Sequence, residues 1–200
     1  MQRRETFGTS GPRIRPRFFA GWSLPPDLCH SANFLEQAYR TGVPMGSDLP
    51  PNSDNTAAVP VFVASAAADP RPGAGLLQRL QVIKGWIDGD GNTRQAVFDI
   101  AGDHTGEAQV NPATCAVSGP GFAQLCASWQ DPDFDPGVPA VYYLRVLENP
   151  SCRWSHYDCL ALPEDDRPAA CTDPDLPWQI QERAWTSPIW YSDHLGSGSQ

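Results

Sequence analysis

The sequence predicts a mostly β protein, an antiparallel sandwich-like domain carrying one or two short helices. Three observations predict it. Of 200 residues, 21 are Pro and 17 are Gly, and Pro alone runs at roughly double the 5% of average usage. Pro fixes φ and removes a backbone donor, while Gly permits left-handed turns, so together they cut a chain into short segments joined by fixed turns. Seven Trp and five Tyr suit a pleated, half-buried surface. Finally, the apolar residues gather in short runs bounded by turn residues, with no internal repeat. An apolar fraction of 40% is enough for one sizeable core.

The elements follow in order. Residues 1–5 read as the last turn of a helix, and residues 6–11 as a strand running into a Gly turn. Residues 14–22 alternate charged and aromatic side chains, which suggests a second strand. The best helical window is 31–40, where Phe34, Leu35, Ala38 and Tyr39 recur at i, i+1, i+4 and i+5. A polar, Pro-rich loop follows at 48–56, then an apolar, partly β-branched strand at 59–67. Residues 76–100 are the clearest unit. Leu80, Val82, Ile83, Trp86 and Ile87 lead into Asp88-Gly-Asp-Gly-Asn92, and Ala96, Val97, Phe98 and Ile100 lead out, which is a hairpin with a Gly-rich turn. Residues 102–121 read as loop, 138–147 as a strong strand, 181–191 as the closing strand, and the Gly-Ser-rich end as a flexible tail.

Charge and cysteine narrow the setting. A net charge of −9 repels nucleic acid and anionic lipid, so binding to either is not expected. Five of the 14 basic residues (Arg3, Arg4, Arg13, Arg15 and Arg17) lie in the first 17 positions. They form either a patch for a phosphate or sulfate ester or internal partners for the protein's own carboxylates. No apolar run approaches the length of a membrane span, and residues 1–8 lack the apolar core of a signal peptide. The six cysteines (Cys29, Cys115, Cys126, Cys152, Cys159 and Cys171) include no C-x-x-C pair, so a zinc ribbon or thioredoxin-like site finds no support. Their even number suits disulfides in an oxidising compartment, with reduced buried thiols as the other reading. Local closure favours Cys115–Cys126, across a Pro/Gly segment, and a bridge within Cys152, Cys159 and Cys171. Export-style cysteines without an export signal are reconciled if the chain is a fragment of a longer exported protein.

Several constellations invite chemistry. Asp88-Gly-Asp90-Gly-Asn92 begins like a calcium loop, but Thr93 stands where Gly is needed and Asp99 where a bidentate Glu belongs, so a hairpin turn is the better reading. Asp131-Pro-Asp133-Phe-Asp135-Pro spaces three carboxylates by two. The prolines make it a turn, with hard-cation binding as the alternative. His30, His104, His156 and His194 show no metal-ligand spacing, and Ser10 is not in a nucleophile elbow because Gly11 follows it directly. The segment Glu5-Thr-Phe-Gly-Thr-Ser-Gly-Pro-Arg-Ile-Arg15 carries more. A strand ending in hydroxyls and Gly lets backbone donors approach a ligand, so Thr9, Ser10, Gly11 and Arg13 are candidate substrate-binding residues. A plain structural turn is the competing reading.

Residues 1–19, which contain that segment, resemble the stretch following the metal-binding barrel in the bacterial domain-of-unknown-function 3604 family. Four further stretches resemble the family in the same order. They are Gly42-Val-Pro-Met-Gly-Ser-Asp-Leu-Pro50, Leu80-Gln-Val-Ile-Lys-Gly-Trp-Ile-Asp88, Tyr142-Tyr-Leu-Arg-Val-Leu-Glu-Asn-Pro-Ser-Cys-Arg-Trp154 and Gln181-Glu-Arg-Ala-Trp-Thr-Ser-Pro-Ile-Trp-Tyr191. The family is similar to the polymerase-and-histidinol-phosphatase (PHP) class of metallohydrolases, and its members are typically exported. The resemblance implies a parent that hydrolyses a phosphoester or related ester with metal-activated water. It implies that residues 1–22 end the PHP-like catalytic barrel, the N-terminal strand being a remnant of it. Residues 23–58 would be a helix and Pro-rich connector, 59–191 a C-terminal β-rich accessory domain, and 192–200 a tail. The main metal ligands are missing, so no catalytic residue and no metal is expected in this chain. A divalent metal is expected in the full-length parent, the upstream barrel is the expected partner, and the periplasm or exterior is the expected location. The alternative expectation is a secreted β-sandwich module whose exposed Trp residues hold a carbohydrate or a protein partner.

Overall fold

The computed structural model describes residues 3–52 and 58–192. In chain order the elements are β1 (Phe7–Thr9), β2 (Arg15–Gly21), α1 (Phe34–Thr41), β3 (Val43–Pro44), β4 (Asp48–Leu49), β5 (Val61–Ala67), β6 (Leu77–Ile87) and β7 (Thr93–Gly102). There follow β8 (Gln109–Val110), β9 (Val117–Ser118), β10 (Gln124–Gln130), β11 (Ala140–Glu148), β12 (Ser151–Cys152), α2 (Trp154–Ala161), β13 (Gln179–Ile180), β14 (Arg183–Thr186) and β15 (Ile189–Tyr191). The protein is mostly β, as expected. One sheet is built on β11, with the β6–β7 hairpin on one edge and β14 and β15 on the other, extended by β1 and β4. The second runs β10–β5–β2–β3. Residues 7–21 give one strand to each sheet, and no sheet of the described residues closes into a barrel.

Period-two alternation builds the core between the sheets. On β11, Ala140, Tyr142, Leu144 and Val146 point inward, and they meet Phe18 of β2 and Phe62 and Ala64 of β5. Phe62 lies 4.4 Å from Tyr142 between ring centroids. The other face of the second sheet is covered as well. Phe19 and Val63 pack under Leu24, Leu28 and Ala38, which come from the connector and α1. A buried polar group crosses the core: Lys84 Nζ sits 2.5 Å from Asp131 Oδ2, to which the Tyr142 hydroxyl also donates at 2.7 Å. Burial, together with the Asp131 carboxylate, pushes the Tyr142 phenol far above its ordinary value.

Several expectations need correction. Arg3 lies in a turn and Arg4–Thr6 have no regular structure, so the helical end read at 1–5 is absent there; Met1 and Gln2 lie outside the described residues. The closing strand is two strands, because Ser187-Pro188 interrupts the ladder along β11. The Thr186 hydroxyl accepts from Leu144 N at 3.0 Å where the pairing changes hands. Strand β10 and helix α2 were not foreseen. The favoured Cys115–Cys126 bridge does not form. Cys126 lies on β10 and joins Cys29, Cys115 joins Cys152, and Cys159 joins Cys171. The last of these is a bridge of the expected local trio. The tail beyond Ser192 and the middle of the Pro-rich loop (53–57) lie outside the described residues.

Candidate functional site

Two of the acidic constellations are turns. At the tip of the β6–β7 hairpin, Asp88 Oδ1 accepts from the backbone of Asp90 and Asn92, at 3.1 and 2.8 Å. Asp131 Oδ1 accepts from Asp133 N, and Asp135 Oδ1 accepts from Gly137 N. With Asp131 Oδ2 already held by Lys84 and Tyr142, the trio forms the turn and an internal ion pair. Among the histidines, His104 Nδ1 is 4.0 Å from Asp99, His156 Nε2 lies against Pro112 O at 2.7 Å, and His194 lies outside the described residues.

The predicted binding segment leads elsewhere. A cleft of about 820 Å³ opens where four connections converge. Gly11 and Pro12 follow β1, Asp69 to Gly75 link β5 to β6, Ser151 to Tyr157 span β12 and the start of α2, and Ile180 and Glu182 flank the entry to β14. Of the four candidates, Gly11 lines this cleft. Ser10 donates its hydroxyl to Glu182, a lining residue, and accepts from Arg183 N at 2.9 Å. Arg13 is exposed, and its backbone N donates to Asp69 Oδ2 at 2.7 Å. Thr9 pairs with Ala184 in the sheet and is not among the lining residues.

The cleft has an aromatic wall that the sequence reading did not single out. Cys152 is anchored through Cys115, Arg153 keeps an extended backbone, and α2 begins at once with Trp154. Because residues three apart share a helix face, Tyr157 stands beside Trp154, with ring centroids 5.9 Å apart. Trp154 is 83% exposed, the most open of the large hydrophobic residues described. A side chain that gains about 1.5–3 kcal/mol or more from burial is here left in water at the mouth of a concavity.

The floor is acidic. Asp69 is buried and clamped by Arg71, with Nε at 2.9 Å and Nη2 at 2.5 Å from Oδ2. This clamp and the Arg13 backbone N–H hold its carboxyl well below the usual range. Glu148 continues the inward phase of β11 beyond Val146 and is 3% exposed. Its Oε1 is buried and accepts no hydrogen bond. Burial, then the nearby charges of Glu182 and Asp69, push its carboxyl up to about 7. Two glycines of the lining lie against Glu148 and Glu182. A Cβ on Gly75 would sit 2.6 Å from Glu148 Oε2, and one on Gly11 would sit 3.6 Å from Glu182 Oε1. The alternation on β11 was the available signal for Glu148: positions 140, 142, 144 and 146 point inward, so 148 places a carboxylate in the core phase.

The described residues hold several side chains of the metal-ligating types. Their one group with three ligand atoms within 4.8 Å is Cys115, Cys152 and His156, and those two sulfurs are joined in a disulfide. A disulfide sulfur has no thiolate to offer a metal. Of the five N-terminal arginines, Arg3 pairs with Glu5 and Arg4 with Asp48, the first as an exposed contact at 3.5 Å. Three disulfides mark an oxidising, extracytoplasmic setting. No described helix is long and apolar enough to cross a membrane.

Comparison with known proteins adds one finding. The family model described as protein of unknown function (DUF3604) matches residues 1–193. No curated protein and no solved structure matches the chain.

Proposed function

We propose, for a chain that belongs to the DUF3604 family, that it is the ligand-gripping β-sandwich portion of an exported hydrolase and that its cleft holds carbohydrate. The observation that carries the reading is Trp154, 83% exposed at the mouth of the cleft with Tyr157 beside it. Exposed aromatic faces in a concavity stack on the C–H faces of sugar rings. Hydroxyls and carboxylates around them (Ser10, Ser151, Ser155 and Glu182) supply the acceptors and donors that hydroxyl-rich ligands need. Hydrolysis itself, by metal-activated water on an ester, falls on this reading to a catalytic barrel that partners this portion. On this reading the turn carrying Ser10 and Gly11 is shared ground, where the ligand held by the sandwich meets the catalytic portion.

Isothermal titration of the 200-residue chain against a panel of neutral oligosaccharides tests the proposal, with Trp154→Ala as the paired variant. Expected is binding of at least one sugar, weakened tenfold or more in the variant while the melting temperature stays unchanged. Absence of binding across the panel, or binding that ignores Trp154, overturns it.

A further inference from the structure

Charge is distributed unevenly in this cleft. Two carboxylates line it, Asp69 and Glu182, and a third, Glu148, lies against the lining residue Gly75; of the three, Asp69 is the one in an ion pair, with Arg71. Glu182 receives the Ser10 hydroxyl. Glu148 is almost wholly buried, and its Oε1 is left without a donor. Arg153 also lines the cleft, yet it forms no ion pair with a described carboxylate. A buried acceptor with no donor costs about 1–3 kcal/mol, and more when it is charged. Such a group calls for a reason, and a ligand that completes it is one.

We propose that the cleft selects an amino sugar, whose ammonium group is received by Glu182, with the Glu148 carboxylate close behind Gly75, while its ring stacks on Trp154. The inference rests on the carbohydrate reading of the same cleft. Three features converge on a cation rather than on one more hydroxyl. The charges that face Glu148 are both negative, Glu182 at the entry to β14 and Asp69 from the loop after β5. The neighbours at hand from the other elements are neutral: Gln78 on β6, and Gln181, which donates to the Glu148 backbone oxygen at 3.0 Å. Glu148 and Glu182 together therefore carry unpaired negative charge, and the burial of Glu148 raises the cost of leaving it so. Gly75 and Gly11 line the cleft and let these carboxylates come close, since a Cβ on Gly75 would meet Glu148 and one on Gly11 would meet Glu182. The aromatic wall of Trp154 and Tyr157 is also a favourable face for a cation.

The test titrates a glucosamine tetramer and its fully N-acetylated counterpart into the wild-type chain, Glu148→Gln and Trp154→Ala at pH 7. Expected is at least tenfold tighter binding of the amine than of its acetylated form by the wild-type protein. Glu148→Gln should erase that preference while keeping affinity for the acetylated sugar. Trp154→Ala should weaken both sugars alike. Equal binding of the two sugars by the wild-type protein, both sensitive to Trp154, overturns the amine proposal and leaves the carbohydrate reading standing. A preference that survives in Glu148→Gln also overturns it. Heat from neither sugar removes the carbohydrate reading, and this inference goes with it.

Discussion

Replacing Glu148 by Gln should stabilise the protein at neutral and alkaline pH and leave its stability unchanged in acid. The group titrates at about 7 in the folded protein against an ordinary 4.5, because burial and the charges of Glu182 and Asp69 oppose its ionisation. The folded state therefore holds a proton that the unfolded chain releases between about pH 4.5 and 7. Folding stability linked to this proton is fully present below pH 4.5 and is lost as the pH rises through 7. Moving from 4.5 to about 7 corresponds to about 3 kcal/mol. The expected gain above pH 8 is about 2–3 kcal/mol. Gln has the same shape, carries no charge at any pH and mimics the protonated acid. Equilibrium unfolding in urea, followed by Trp fluorescence with the disulfides intact, should give overlapping curves at pH 4. In thermal melts at pH 8 the variant's melting temperature should be higher by about 5–10 °C, by the scaling for a chain of this size. Parallel pH dependence of wild type and variant would refute the reasoning, since it would mean that Glu148 ionises without cost. A variant less stable at pH 8 would show that the carboxylate accepts bonds the structure does not contain.

Two further outcomes test the framework around the cleft. Lys84→Met leaves Asp131 charged, 2% exposed and without its cation, so chemical denaturation should show a loss of about 3–5 kcal/mol. The disulfides should rank by the loop each closes. Replacing both Cys29 and Cys126 by Ser, at a separation of 97 residues, should cost about 4–5 kcal/mol, and the same change at Cys159 and Cys171, separated by 12, about 3 kcal/mol; calorimetry of the two double variants checks the order.

Much of the fold was legible because its strands carry their own signals. The β6–β7 hairpin announces itself through apolar alternation on both sides of Asp88-Gly-Asp-Gly-Asn92, and α1 through one apolar face. Strand β10 was hidden because Gln124-Leu-Cys-Ala-Ser-Trp-Gln130 has small and polar residues where a strand usually advertises itself. It pairs at the edge of a sheet, where none of its seven residues is fully buried. Helix α2 has only a weak apolar face, no buried residue and no capping side chain. Disulfide and tertiary contacts at its ends hold it in place of local preference.

The missed strand explains the missed disulfide, and together they explain the site. Nearness in sequence favours Cys115–Cys126 only while the intervening residues are free to bend back. Once β10 pairs along β5, Cys126 stands opposite Ser65 and faces the turn that carries Cys29, in the cluster with Phe19 and Leu28. Cys115 is left on a separate loop, at φ +56°, and its partner becomes Cys152. That second bridge sets the start of α2 and with it the place of Trp154. Sequence reasoning reached the Gly11 side of the cleft because its signals are local: Gly, hydroxyls and a strand end. The opposite wall depends on a pairing across 37 residues, and the floor on which phase of β11 faces the core. Neither is a property of any short window, so the cleft could be read from the sequence only along one edge.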